Sequence, residues 1–279
     1  MPNTARLTPD TIADFERTGF HIFEDLLPIE LVEAAQRGAE GLFQDFPHET
    51  GAILTVDGNA PVPLERLARI DHPHLASEAI DQLLHFPALA RAATALMKSD
   101  CVQAWYVHLS RKPPVSGARS HIGWHQDGQY TDFIEGRFVT MWIPLTEVGA
   151  QDSPICYVPG SHHSGVIGGS GFSGEVPLEA LKARLLARAP IEWTETEVCA
   201  RRGTVTMHDS LVVHGSRKNN ADRPRLALTV HLRSEHNRVR FAPEYRITMK
   251  HLRDSAAAPI LCGNRMSFSD LDIDGDVQC

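Results

Sequence analysis

Trp124-His125-Gln126-Asp127-Gly128 sets an imidazole and a carboxylate two residues apart. In an extended chain residues two apart share a face, so a borderline nitrogen and a hard oxygen can reach one cation. A His-x-Asp pair is common by chance, and alone it reads as readily as a hydrogen-bonded surface pair. A second imidazole, His214, follows the apolar run Leu211-Val212-Val213 and precedes Gly215-Ser216. Two imidazoles and one carboxylate leave three adjacent positions of a metal open, the arrangement that suits a non-haem iron(II) centre. Arg225, eleven residues after His214, opens the apolar run Arg225-Leu226-Ala227-Leu228-Thr229-Val230. A guanidinium there can clamp a carboxylate through two parallel hydrogen bonds, which lysine cannot reproduce.

These residues need a frame to bring them together. Thr8-Pro9-Asp10 is a helix start: a capping hydroxyl, a proline in the first turn and an acid. Ile12, Phe15 and Phe20 follow at helical spacing, and Gly19 ends the run. Phe20-His21-Ile22-Phe23 reads as a short strand. Leu27-Pro28 opens a second helix through Leu31, Val32, Ala35 and Leu42, and a third spans Pro87 to Met97. From Cys101 the pattern changes. Segments 101–109, 137–145, 203–208 and 225–232 are short, rich in Val, Ile, Thr, Trp and Leu, and bounded by Gly, Pro, Asp and Asn, the mark of a β-sandwich or barrel. Between the strands, the glycine-rich stretch 165–174 leads into an amphipathic segment from Leu178 to Leu186. It lacks the Lys-Ser/Thr ending of a phosphate loop and reads as a helical lid insertion.

The bulk properties bound the function. The 279 residues are 42% apolar and 22% charged, with a formal charge of −8, which fits a globular core and argues against a nucleic-acid surface. The chain starts without the apolar core of a secretory signal and has no run long enough to span a membrane. Five scattered cysteines with no Cys-x-x-Cys make a disulfide framework or zinc-thiolate site unexpected, and a reducing, cytoplasmic setting is the simplest expectation. Neither His-Glu-x-x-His nor Gly-x-Ser-x-Gly occurs. Trp124 and Tyr130, flanking the His-x-Asp, and His208 are candidates for the substrate pocket, against ordinary packing or a satisfied core histidine. His108, His121 and His162 read as structural. The basic residues Arg217, Lys218, Arg223, Arg233, Arg238 and Arg240 could receive an anion, but read more readily as a solvated face.

With these motifs in order, the chain resembles the phytanoyl-CoA dioxygenase family. The matching pieces are Leu7-Thr8 through Gly19-Phe20, Lys112-Pro113-Pro114, the Trp124 to Gly128 motif and Trp142-Ile143-Pro144-Leu145. Val158-Pro159-Gly160-Ser161-His162, His214-Gly215-Ser216 and Arg225 complete the set, and the tail after about Arg233 carries no part of it. The resemblance implies a mainly β, double-stranded β-helix (jelly roll, cupin-like) with N-terminal helices. It implies one dioxygenase domain over 1–279, with a helical part in 1–100 and a core in 101–240 interrupted at about 164–198. His125, Asp127 and His214 would hold Fe(II), and Arg225 the distal carboxylate of 2-oxoglutarate, assisted by Ser216 with Trp142 packed beside it. His162 would be structural within its turn. A retained acid at Asp127 disfavours the halogenases of this group, which lack it. In place of the family's Asn-Gly-x-Leu stands Asp152-Ser153-Pro154-Ile155-Cys156, a departure in the local turn.

The implied reaction consumes 2-oxoglutarate and O2, releases succinate and CO2, and oxidises a C–H bond of a small molecule, with hydroxylation as the default outcome. Two other readings fit parts of the pattern. A metal-dependent hydrolase or isomerase on a cupin-like barrel has no use for Arg225, and a non-catalytic jelly-roll binding module has none for an intact triad. The substrate, the oligomeric state and the role of the C-terminal tail are not written in any motif.

Overall fold

The computed structural model describes residues 7–45, 67–114, 121–169, 171, 176–240, 246–268 and 271–277. Helix α1 (Pro9–Thr18) begins on Thr8, whose hydroxyl accepts from the Thr11 amide while the Thr11 side chain takes the Thr8 amide. Gly19 closes it at φ 85°, a left-handed position free of penalty only for glycine. The chain passes at once into β1 (Phe20–Phe23). Helices α2 (Ile29–Asp45), α3 (Glu78–Leu84) and α4 (Pro87–Met97) complete the N-terminal part, with β2 (Ala68–Asp71) between α2 and α3. There follow β3 (Val102–Lys112), β4 (Ile122–His125), β5 (Ile134–Glu135), β6 (Val139–Pro144) and β7 (Ile155–Val158). After α5 (Leu178–Leu186) come β8 (Thr196–Val198), β9 (Val205–Asp209), β10 (Val213–Ser216), β11 (Arg225–Ser234) and β12 (Arg238–Val239). The tail adds α6 (Arg246–Arg253), β13 (Ile260–Phe268) and β14 (Leu271–Val277).

Two antiparallel sheets face each other as the expected cupin-like jelly roll. The larger runs β1-β9-β6-β11-β3-β13-β14, with β2 also on β3, and the smaller runs β4-β10-β7-β8. Side chains alternate across the larger sheet. Its outward residues Val107, Leu109, Met141, Ile143, Val205, Met207, Leu226, Leu228 and Val230 share one core with Val32, Ala35, Leu83 and Leu89 of the helices. The helices thus press on one face of the sheet, leaving its other face for the polar residues Lys112, Thr140, His208, Arg225 and His231.

The insertion between β7 and β8 lies against the outer face of the smaller sheet, where Leu181 and Leu185 of α5 pack with Trp124, Val158 and Val213. Of the glycine-rich stretch, residues 170 and 172–174 lie outside the described residues. Gly171 donates its amide to the Trp124 carbonyl at 3.2 Å, and a Cβ on Gly123 would stand 2.0 Å from the Gly171 carbonyl oxygen. The C-terminal tail, silent in sequence, extends the larger sheet: Ile260 and Cys262 pair with Gln103 and Val102. Cysteine usage departs from expectation at one point. Cys156 and Cys199 are free thiols, but Cys262 is disulfide-bonded. Among the described residues no helix is long and apolar enough to cross a membrane.

Candidate active site

Strand β4 ends on His125, Gln126 continues extended at φ −119° and ψ 130°, and Asp127 begins a 3-10 turn. The His-x-Asp spacing thereby keeps both side chains on the inner face. His214, on β10, is the cross-strand partner of His125. The Nε2 atoms of His125 and His214 lie 3.6 and 3.7 Å from Asp127 Oδ1. One ligand atom from each of the three residues lies within 4.8 Å of the others, a group that could hold a metal ion. The remaining ring nitrogens are engaged: His125 Nδ1 lies 2.8 Å from the Gly123 carbonyl and His214 Nδ1 3.1 Å from that of Val212. A carbonyl only accepts, so each Nδ1 carries the proton and each Nε2 turns its lone pair toward Asp127.

The second Asp127 oxygen is held separately. Oδ2 accepts from the Thr140 hydroxyl at 2.7 Å and from His208 Nε2 at 3.2 Å. Thr140 Oγ1 in turn accepts from His231 Nδ1 at 2.9 Å. His208 Nδ1 accepts from the Tyr157 hydroxyl at 3.0 Å, which takes its own hydrogen bond from Thr206 at 2.7 Å. Burial would raise the Asp127 carboxyl, but the group is held well below the usual carboxylate range, its ionised form favoured by the donors on Oδ2. Burial, then His125, pushes His214 far below its ordinary value, so its ring stays neutral, the form that binds metals.

At the far end of the same inner face, Arg225 on β11 is the cross-strand partner of Lys112 on β3. Arg225 is 3% and Lys112 0% exposed. Lys112 Nζ donates to Ser216 Oγ at 2.8 Å and to the Arg217 carbonyl at 2.5 Å. Arg225 donates one Nη to the Ser153 carbonyl at 2.5 Å, and its guanidinium carbon lies 5.5 Å from the Trp142 ring centre. Its Nε has no hydrogen-bond partner among the described residues. Burial alone pulls Arg225 down to about 10, and burial followed by the Arg225 charge pulls Lys112 well down; among the described residues no carboxylate offsets either. Two facing buried cations without a counter-ion are costly to hold. Their donors, with Ser216 Oγ, match the distal carboxylate of a short dicarboxylate such as 2-oxoglutarate.

Of the residues singled out by sequence, His125, Asp127 and His214 converge, as do Arg225, Ser216 and Trp142. His208 touches Asp127 itself. Tyr130 is 47% exposed, with its ring 6.3 Å from that of His125. Trp124 packs under α5, edge-on to Trp193. His162 is structural, but it bonds the Glu16 carbonyl of α1 at 3.0 Å and not a group within its own turn as expected. Arg223, two residues from Arg225 and part of the basic run, pairs with Asp152 at 2.9 and 3.2 Å. The rest of the basic run disperses: Arg217 pairs with Glu195 and Glu197, Arg240 with Asp132, and buried Arg233 bonds Gln103. At the departing turn, Ser153 adopts φ 60° and supplies the carbonyl that meets Arg225. Sequence reasoning gave no role to Lys112, Thr140, Tyr157 or His231. The one available signal was a lysine in phase with the inward side of a strand.

Comparison with known proteins agrees with this geometry. The phytanoyl-CoA dioxygenase family matches residues 15–227. The ectoine dioxygenase of Bordetella bronchiseptica is 26% identical over 240 residues, which cover 78% of this chain and 73% of that protein. The 2-oxoglutarate-dependent carbocyclase SnoK from nogalamycin biosynthesis superposes with a TM-score of 0.70 at 18% identity, covering 90% of this chain and 93% of its own. EctD from S. alaskensis, solved with 2-oxoglutarate and 5-hydroxyectoine, gives a TM-score of 0.66 at 23% identity, covering 86% and 80%. At those identities the two structures speak for the fold, and the family match speaks for the chemistry. The chain belongs to the phytanoyl-CoA dioxygenase family, and so to the non-haem iron, 2-oxoglutarate-dependent dioxygenases.

Proposed function

We propose that this protein hydroxylates a C–H bond of a small molecule, with one oxygen atom of O2 entering the product and the other entering succinate as 2-oxoglutarate loses CO2. His125, Asp127 and His214 hold the iron, which supplies the oxidising chemistry when bound with its cosubstrate. The protein's own residues position the reactants. Gly123 and Val212 fix the ligand tautomers, and Thr140 and His208 fix the carboxylate. Arg225, Lys112 and Ser216 receive the distal carboxylate of 2-oxoglutarate, with Trp142 against the guanidinium. The observation that carries the reading is the pair of buried cations, Arg225 and Lys112, with no carboxylate between them among the described residues. A hydrolase or isomerase centred on the metal alone would have no use for that pair.

The test is a titration of 2-oxoglutarate into the anaerobic, iron-loaded protein, following the metal-to-ligand charge-transfer band. Arg225→Ala should leave iron stoichiometry intact and weaken 2-oxoglutarate by on the order of 2–5 kcal/mol, roughly thirty- to several-thousand-fold. Arg225→Lys should recover part of that, because a point charge cannot make the two-pronged contact. Unchanged affinity in Arg225→Ala, or wild-type protein that forms no succinate, would overturn the reading.

A further inference from the structure

The triad and the paired cations account for only part of the inner face. The wall made by β2, the middle of β3 and β11 has no role in them. Its outward residues Ile70, Val107, Leu109, Leu228 and Val230 have no exposed surface, being covered by the helices. Its inward residues are the register partners Arg69 and Ser110, Asp71 and His108, His108 and Thr229, and Tyr106 and His231. Tyr106, His108 and Thr229 all keep partial solvent access, and the Arg69 and Asp71 side chains are 30% and 14% exposed. A wall buried on its outside and partly accessible on its inside can form one side of a chamber. The chamber adjoins the metal site, because His231 is the cross-strand partner of Thr140, which bonds Asp127.

Apart from Ala227, the inward side chains on this wall are polar, whereas a chamber for an acyl chain would present leucine or phenylalanine. Asp71 Oδ1 is met by Arg69 Nε at 3.1 Å and by the Tyr106 hydroxyl at 2.7 Å. Ser110 donates to the Ala227 carbonyl at 3.2 Å. His108 differs: its enclosed Nδ1 has no hydrogen-bond partner among the described residues. Burial, then the charge of Arg69, holds the ring neutral. A neutral imidazole offers one donor and one acceptor; with Nδ1 closed off, the partly exposed remainder of the ring is what a ligand can reach.

We infer that this wall is the substrate-recognition subsite, and that the substrate is a small polar molecule whose hydroxyl, amine or carboxylate group meets His108, rather than an acyl chain. The inference rests on the oxygenase reading for where the reacting bond lies, but not on Arg225.

Two measurements test it. In the first, wild-type protein with iron and 2-oxoglutarate is assayed for stimulated succinate release by hydroxy acids, free amino acids, small phosphonates, fatty acids and fatty acyl-CoA. A polar class should stimulate. His108→Phe should raise the KM for the best compound at least tenfold while kcat changes less, and His108→Gln, which keeps a donor and an acceptor, should restore part. The 2-oxoglutarate charge-transfer titration reports whether each variant still folds around its metal. In the second, nitrogen NMR of 15N-histidine in the zinc-substituted protein with 2-oxoglutarate should show the His108 signals moving as the same polar compounds are added. Stimulation by acyl compounds alone, an unchanged KM in His108→Phe, or His108 signals that no polar compound moves would each overturn the subsite. Absent succinate and an absent charge-transfer band in the wild type would instead overturn the oxygenase reading, and the NMR titration would still decide the subsite.

Discussion

Asp127 turns its two carboxylate oxygens to different tasks, one toward the His125 and His214 nitrogens and one to Thr140 and His208. That division would let the carboxylate offer a single oxygen to a metal held with His125 and His214. Thr140→Val removes a donor to Oδ2 with little change in shape, and His208→Phe removes the other. Each should lower Fe(II) affinity about ten- to a hundredfold, the usual cost of losing a group that orients a metal ligand, measured by competition with a chelating dye. Intact iron affinity with only the substrate KM altered would instead return His208 to the pocket role expected of it from sequence. The triad was legible because its chemistry lies in three residue types, two of them adjacent to Gln126. Lys112 and Thr140 were not, because their partners stand across the sheet, and no linear spacing reveals that Lys112 faces Arg225.

At the scale of elements, locally determined features were the ones that could be read. The α1 cap from Thr8 to Gly19, α4 from Pro87 to Met97 and α5 from Leu178 to Leu186 carry their signals in their own residues. Strand β2 escaped because its four residues, Ala68–Asp71, include two charged side chains that face the chamber. The close packing of the insertion on the smaller sheet was also invisible, since it depends on Gly171 meeting the backbone at Trp124. Gln126 ties that insertion to the metal-bearing strand. Its buried amide donates to the Gly165 carbonyl at 2.9 Å and the Leu211 carbonyl at 2.6 Å, and accepts from the Ile167 amide at 2.9 Å. Gln126→Leu would strand those groups, a cost of about 1–3 kcal/mol for a buried unsatisfied group. Hydrogen exchange at the Ile167 amide should then quicken by roughly ten- to a hundredfold, with exchange on α1 unchanged. Equal acceleration at both places would mean general destabilisation and would remove the tether.

Across the whole molecule, the tail that no motif described completes the structure around the chamber wall. Gln103 Nε2 donates to the Ala258 carbonyl at 2.7 Å, while His72 Nδ1 and His74 Nε2 bond the Ala257 and Ala256 carbonyls at 3.1 and 3.0 Å. The family match ends at residue 227, so these contacts belong to the part of the chain where sequence gave no guide. They also add to a store of buried neutral imidazoles. His72 is lowered from 6.5 to about 4 by burial, then by His251 and His74. His231 is lowered to about 4, chiefly by burial. His74, His108 and His214 shift the same way. Each such ring binds a proton more readily in the unfolded chain than in the folded one, so folding stability is complete above about pH 6.5 and falls as the pH drops toward 4. For His72 alone the loss between pH 7 and pH 5 is about 2 kcal/mol. His72 stands at φ 52°, a left-handed conformation that asparagine tolerates, so His72→Asn removes the titrating group without forcing the backbone. The variant loses the bond to Ala257 and should be less stable at pH 7. Its further loss on going to pH 5 should be smaller than that of the wild type by about the same 2 kcal/mol, read from urea midpoints of the metal-free protein at both pH values. An equal acid loss in both proteins would mean that His72 is already protonated in the folded state, and that the acid sensitivity comes from the barrel interior alone.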